Sequence, residues 1–182
     1  MEYDIGLIIK KVLEFDAGIP KFLLLGISVI ACGAVLLLYL LTPEKPILLK
    51  RVSWSMFLIY LLLVLCFTII FRERQDVSRI LLKPIWEYKS INYTRLAESI
   101  LNILLFIPLG FLSCAAIKQK SLLKVMGLCC GISVWIELLQ LTLKKGVCNI
   151  DDVINNTVGI VIGYGFFMLC YLASDKTKKL NN

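Results

Sequence analysis

The sequence contains no histidine. That removes the commonest general base and zinc ligand, and with it lipid phosphatases and acyltransferases that depend on a catalytic histidine. No C-x-x-C pair, Gly-rich phosphate loop or G-x-S-x-G segment occurs, so these redox, nucleotide-binding and hydrolase signatures are missing too. Charge is scarce. Of 182 residues 18% are charged and 59% hydrophobic, and mean hydropathy is +0.83. A soluble domain carries about 25% charged and about 45–50% apolar residues, and a disordered chain needs low hydrophobicity. Both classes are excluded. There is no internal repeat and no low-complexity tract.

What the chain does have is long stretches without charge. Phe22–Pro43 runs for 22 residues, Val52–Phe71 for 20, Ser99–Ile117 for 19 and Val153–Ser174 for 22. A fifth run, Val125–Leu143, is interrupted only by Glu137. About 20 apolar residues in a helix cross ~30 Å of hydrocarbon, where helix satisfies the backbone. A soluble protein would have to bury five such helices with too little remaining chain to cover them. The expectation is therefore an all-α, polytopic membrane helix bundle. It has about five transmembrane helices, at roughly 22–41, 52–71, 99–117, 123–143 and 153–173. The organisation reads as an N-terminal amphipathic segment (1–21), a two-span hairpin (22–71), a three-span core (72–173) and a basic tail (174–182).

Residues 1–16 place Ile5, Ile8, Ile9, Val12 and Leu13 on one helical face, which suits an interfacial helix or one packed on the bundle. Glu2, Asp4 and the Leu-Thr-Pro-Glu end of the first run do not fit a cleaved signal peptide. The 72–98 connection is amphipathic, with Trp86, Tyr88 and Tyr93 suited to the aromatic belt. Six of the seven cysteines fall within spans and Cys148 in a loop. They read as small packing residues rather than metal ligands or disulfides.

Five spans put the termini on opposite sides. The side with the N-terminus, 72–98 and 144–152 carries 11 Lys/Arg in 57 residues; the other carries 9 in 26. The denser, shorter segments place the C-terminus in the cytoplasm and the N-terminus outside the cell membrane. Net charge of +7 then reflects basic flanks on anionic headgroups, so membrane lipids and not nucleic acid are the expected partners.

Charges within spans cost about 2.5–3.5 kcal/mol on insertion scales and tend to mark function. Glu137, with Ser133 and Gln140, forms one face of the fourth span. The fifth opens with Asp151, Asp152, Asn155 and Asn156, followed by Gly159-x-x-x-Gly163, a close-approach motif. Asp152 suits the helix start as a cap. Arg95, Glu98, Asn102 and Phe106 share a face of the third span, where Pro108 can kink the helix. The second span exits at Arg72. Alternating span direction brings these groups to one membrane face, so Asn102, Glu137, Gln140, Asp152, Asn156 and an arginine can share a cavity. A purely structural polar network would use the same residues.

The sequence resembles the VanZ-like membrane protein family. The resemblance rests on Asn102-Ile-Leu-Leu-Phe-Ile-Pro-Leu-Gly110, Ser133-Val-Trp-Ile-Glu137-Leu-Leu-Gln140 and Asp151-Asp152-Val-Ile-Asn-Asn156-Thr-Val-Gly159, in order on successive spans. Arg79-Ile-Leu-Leu-Lys-Pro84 is similar to the family's arginine-to-proline segment. Lys145 stands where the family often has arginine, and lysine lacks the planar fork for bidentate anion contact. The resemblance implies a role like that of the namesake, which raises resistance to teicoplanin-type glycopeptides. These act outside the cell on peptidoglycan precursors.

Three readings follow. The first is non-enzymatic: a glycopeptide's lipid-bearing part or a lipid-linked wall precursor binds at the polar face. Arg72, Arg79 or Arg95 meets its anionic head, with Asn102, Glu137, Gln140, Lys145, Asp152 and Asn156 completing the site. No cofactor or metal is needed. The second is an enzyme on a lipid-linked substrate, with Glu137 and Asp152 as acid and base or holding Mg²⁺. A small transporter is a third class, without an evident inverted repeat to support it.

Overall fold

The computed structural model describes residues 5–7, 10, 20–41, 46–70, 80–81, 93–117, 121–145 and 148–180. Five long helices dominate: α1 (Pro20–Leu41), α2 (Pro46–Leu65), α3 (Tyr93–Ile117), α4 (Leu122–Thr142) and α5 (Ile150–Leu180). Both α1 and α2 begin on proline, whose missing N–H is not needed in a first turn. A π-helical turn, Cys66–Ile70, continues α2. Residues 5–7 and 10 are helical; the rest of the expected interfacial helix lies outside the described residues.

The fold is an all-α bundle. Among the described residues, Ile47–Leu65, Tyr93–Ile117, Leu122–Thr142 and Ile150–Ala173 are long and apolar enough to cross a membrane. The remaining expected span coincides with α1, whose apolar stretch Gly26–Leu38 is shorter. Outward faces are apolar: Leu58 and Leu62 on α2, Trp135 and Leu138 on α4, Phe166 and Leu169 on α5 are all exposed. Buried positions include Ser133, Glu137, Gln140, Asp151 and Asn156. Apolar residues outside and ionisable ones inside is the distribution that a lipid-facing bundle requires.

Helix α3 is the axis. It packs most extensively on α5, and also on α2, α1 and α4. Leu101, Leu105, Leu109 and Leu112 are buried along it. The helix runs unbroken through Pro108. Its contact with α5 is a glycine contact, as the sequence spacing suggests. A Cβ at Gly159 would overlap the Ile103 carbonyl oxygen, and one at Gly163 would overlap that of Ile107. From the other side, a Cβ at Gly110 would run into the Ile160 backbone. Two backbones therefore touch directly, the approach that small residues permit between membrane helices. The hairpin docks through Phe57, Tyr60 and Val64, and the Tyr60 hydroxyl donates to the Leu105 carbonyl at 2.8 Å.

One element was not expected. Ile80–Leu81 and Cys148–Asn149 form a two-residue parallel strand pair, in register Ile80 with Cys148 and Leu81 with Asn149. The 72–98 connection, expected along or into the membrane surface, is thus tied at this point to the α4–α5 turn; its other residues up to 92 lie outside the described set.

Candidate functional site

The site is built at the end of the bundle where α2 finishes, α3 starts, α4 finishes and α5 starts. On α4 the buried stripe is Val125, Cys129, Ser133, Ile136, Glu137 and Gln140, the spacing of one helical face. Glu137 is 4% and Gln140 2% exposed, so both side chains face the bundle and not lipid.

The turn after α4 determines what Glu137 meets. Lys144 has φ 54. Its N–H donates to Leu141 O at 3.2 Å and the Lys145 N–H to Gln140 O at 2.8 Å. This pair of bonds is a Schellman motif, which usually employs glycine at the left-handed position. The motif reverses the chain sharply. Cys148 and Asn149 return over the end of α4, and the Asn149 N–H donates to Glu137 Oε2 at 3.2 Å. The Asn149 side chain also caps α5: its Oδ1 accepts the Asp151 N–H at 3.1 Å, the N-cap arrangement.

That observation corrects the expectation that Asp152 caps this helix. Asn149 caps it, which leaves the Asp152 carboxylate for α3, where Asn102 Nδ2 donates to Asp152 Oδ1 at 2.8 Å. One turn deeper, Asn156 is 3% exposed and its Nδ2 donates to Ser133 Oγ at 2.8 Å. Gln140 turns to α2: its Nε2 donates to the Thr68 carbonyl at 3.1 Å. Thr68 lies in the π-helical turn, where the α-helical carbonyl pattern is interrupted, a feature frequent at functional sites. The Thr68 hydroxyl in turn donates to Val64 O at 2.8 Å.

Cys148 reports on the field here. Burial pushes its thiol pKa up, and the negative charges of Glu137 and then Asp152 push it further in the same direction. One thiol thus lies within electrostatic reach of carboxylates from α4 and α5. It remains protonated through neutral pH, because a raised pKa disfavours the thiolate.

Of the expected site residues, the structure joins Asn102 to Asp152, Asn156 to α4 through Ser133, Glu137 to Asn149 and Gln140 to α2. Arg95 is half-buried in the first turn of α3, and Lys145 is half-buried in the Schellman turn. Arg72 and Arg79 lie outside the described residues. In the enzymatic reading Glu137 and Asp152, with the amide oxygens of Gln140 and Asn156, would be the oxygen ligands of Mg²⁺. Among the described residues, no three His, Cys, Asp or Glu side chains gather as a metal site.

Two contributors escaped the sequence reading. Thr68 acts through its carbonyl, which no sequence pattern marks. Asn149 did carry a signal: an asparagine directly before a helix opening with two aspartates is an N-cap pattern.

Comparison with curated proteins and with solved structures finds no match. The VanZ/LLP1 family model, in contrast, matches residues 57–171. That span starts within α2, before Tyr60 and the π-helical turn, and includes every hydrogen bond of the cluster. With the greater part of its length matched, the chain belongs to the VanZ/LLP1 family.

Proposed function

We propose that this protein is a multi-pass component of the cell envelope that binds an amphiphilic ligand at its polar cluster and so contributes to teicoplanin-type resistance. The ligand is the lipid-bearing part of a glycopeptide or a lipid-linked cell-wall precursor. The observation that carries the reading is the Asn102–Asp152 bond together with the buried Glu137, Gln140 and Asn156. The three core helices send polar side chains to one end of an otherwise apolar bundle, and the hairpin meets them there with the Thr68 carbonyl. Polar groups are expensive in such surroundings and tend to mark function. Arg72, Arg79 and Arg95 belong by sequence to the same end and supply the cations for an anionic headgroup. In this reading the cluster faces outward, with the N-terminus outside and the basic tail in the cytoplasm.

The test is binding of a lipid-linked wall precursor and of teicoplanin to the purified protein in lipid nanodiscs, alongside protection of cells expressing it. Wild type binds and protects, and Glu137→Gln with Asp152→Asn lowers both by about ten-fold or more. Binding and protection equal to wild type in that variant would refute the site. Labelling a cysteine placed at Leu143 in intact cells checks orientation; inaccessibility from outside would reverse it.

A further inference from the structure

The seams of the bundle are closed in different ways. The hairpin packs on α3, and α3 on α5, mainly through apolar side chains and glycines. Among the described residues, α4 meets the hairpin chiefly at the π-helical turn, Cys66–Ile70. The bond there runs from Gln140 Nε2 to the Thr68 carbonyl, 3.1 Å and 72 residues apart in sequence. A side-chain amide on a main-chain oxygen thus joins hairpin to core at the polar end.

The two partners are held with unequal firmness. Gln140 is fixed: its side chain is buried, and its own carbonyl accepts the Lys145 N–H of the Schellman turn at 2.8 Å. Thr68 lies where α2 gives up its regular winding. A π turn bonds i to i+5, one residue more than an α-helix, and is rare outside functional sites. The Thr68 hydroxyl donates to Val64 O at 2.8 Å, back-bonding of the kind that bends and slightly destabilises a helix. Nothing in the residues themselves demands a wide turn, because Cys66-Phe-Thr-Ile-Ile contains no proline or glycine. The turn is therefore sustained from outside, and Gln140 is the contact that reaches its central residue.

We propose that this turn is a hinge and Gln140 its latch. In the latched state Gln140 holds the Thr68 carbonyl and the turn stays wide. When the amide lets go, the turn rewinds to α-helix. Rewinding five residues rotates the end of the turn by about a quarter turn relative to its start and parts the hairpin from α4 at the polar end. A few residues at the end of an element that absorb a change of backbone angles are the usual hinge. This rests on the amphiphile reading above and gives the ligand a route: sideways from the bilayer, between α2 and α4, past Gln140. One hydrogen bond between membrane helices is weak enough to open spontaneously, so the latch regulates entry without sealing the site.

The test has a ligand-free arm and a ligand arm. In the first, relaxation dispersion follows the amide ¹⁵N signals of Cys66–Ile70 in lipid nanodiscs. Wild type should show a minor state exchanging in the μs–ms range of helix rearrangements. Gln140→Met, similar in shape but without a donor, should raise its population by about three- to ten-fold at all five residues. Gln140→Leu serves if the methionine variant does not fold, and the wild-type measurement stands without either. Flat dispersion in wild type overturns the hinge. So does a variant in which only the Thr68 and Ile69 signals move, because the bond is then lost without rewinding. In the second arm, teicoplanin and a lipid-linked wall precursor are passed over nanodisc-held protein, and binding is followed by surface plasmon resonance. Releasing the latch should speed association and dissociation together, each by about three-fold or more. Faster dissociation alone makes Gln140 a plain ligand contact and overturns the latch. If neither probe binds while the minor state is present, the hinge stands and the amphiphile reading falls. Binding to a protein whose turn is rigid leaves that reading intact, and only this inference falls.

Discussion

The seam between α3 and α5 has two halves of opposite character. The deep half is dry: Gly159 and Gly163 lie against the Ile103 and Ile107 carbonyls, and no side chain separates the backbones. The outer half is polar, where Asn102 reaches Asp152 across the seam and, on its α4 flank, Asn156 reaches Ser133. The difference shows a division of labour. Asparagine and aspartate have short side chains, so a 2.8 Å bond between them requires backbones already close. The glycines set that spacing, and the Asn102–Asp152 pair exploits it about two turns before Gly159 along α5.

The largest effect should come from breaking the dry half. Gly163→Leu forces a side chain into the Ile107 carbonyl, and overpacking of this kind costs about 3 kcal/mol. Gly165→Leu, two residues on, meets open space and should be close to neutral. Thermal unfolding in detergent compares the two; equal melting temperatures would show that the glycine contact does not set the spacing.

Next is the polar half. A double-mutant cycle over Asn102→Ala and Asp152→Ala should give a coupling of about 1–2 kcal/mol, measured by steric-trap or denaturant unfolding. Strict additivity would mean that the 2.8 Å bond contributes nothing net.

A finer measurement uses Cys148. Both carboxylates raise its thiol pKa, so neutralising either lowers it and increases the thiolate fraction at a given pH. Glu137→Gln and Asp152→Asn should each speed alkylation at pH 8, Glu137→Gln more than Asp152→Asn. In wild type, the rate should continue climbing above the ordinary thiol range. A variant that leaves the rate unchanged separates that carboxylate from the cluster.

The smallest effect concerns the turn. Lys144 adopts φ 54, a conformation costing about 1–2 kcal/mol for residues with a Cβ. Lys144→Gly removes that cost but adds about 0.4–1 kcal/mol of unfolded-state entropy. A net gain of about 0.5 kcal/mol should appear as a slightly higher melting temperature.

The sequence made the spans legible because charge cannot be scattered through a hydrocarbon-facing helix, and the intervals between charges measured them directly. It also named Asn102, Glu137, Gln140, Asp152 and Asn156, because polar side chains at helical spacing in apolar runs stand out. Their pairing was not legible. Whether Asp152 caps its own helix or reaches α3 depends on who else can cap, and Asn149 does so. The Thr68 carbonyl belongs to the main chain and has no residue-type signature. The strand pair is two residues long, too short to produce an alternation. Gly159 and Gly163 were legible as a motif, but the partner carbonyls at Ile103 and Ile107 emerge only once the helices are in register.

Asn149 serves three neighbours with three different groups. Its place opposite Leu81 engages the incoming segment, its N–H holds Glu137 and its side chain starts α5. A tug on Leu81 is therefore felt at once by the acid of one helix and by the first turn of the next. The short Ile80–Leu81 strand is thereby geared, through Asn149, to the Glu137 carboxylate and to the start of α5.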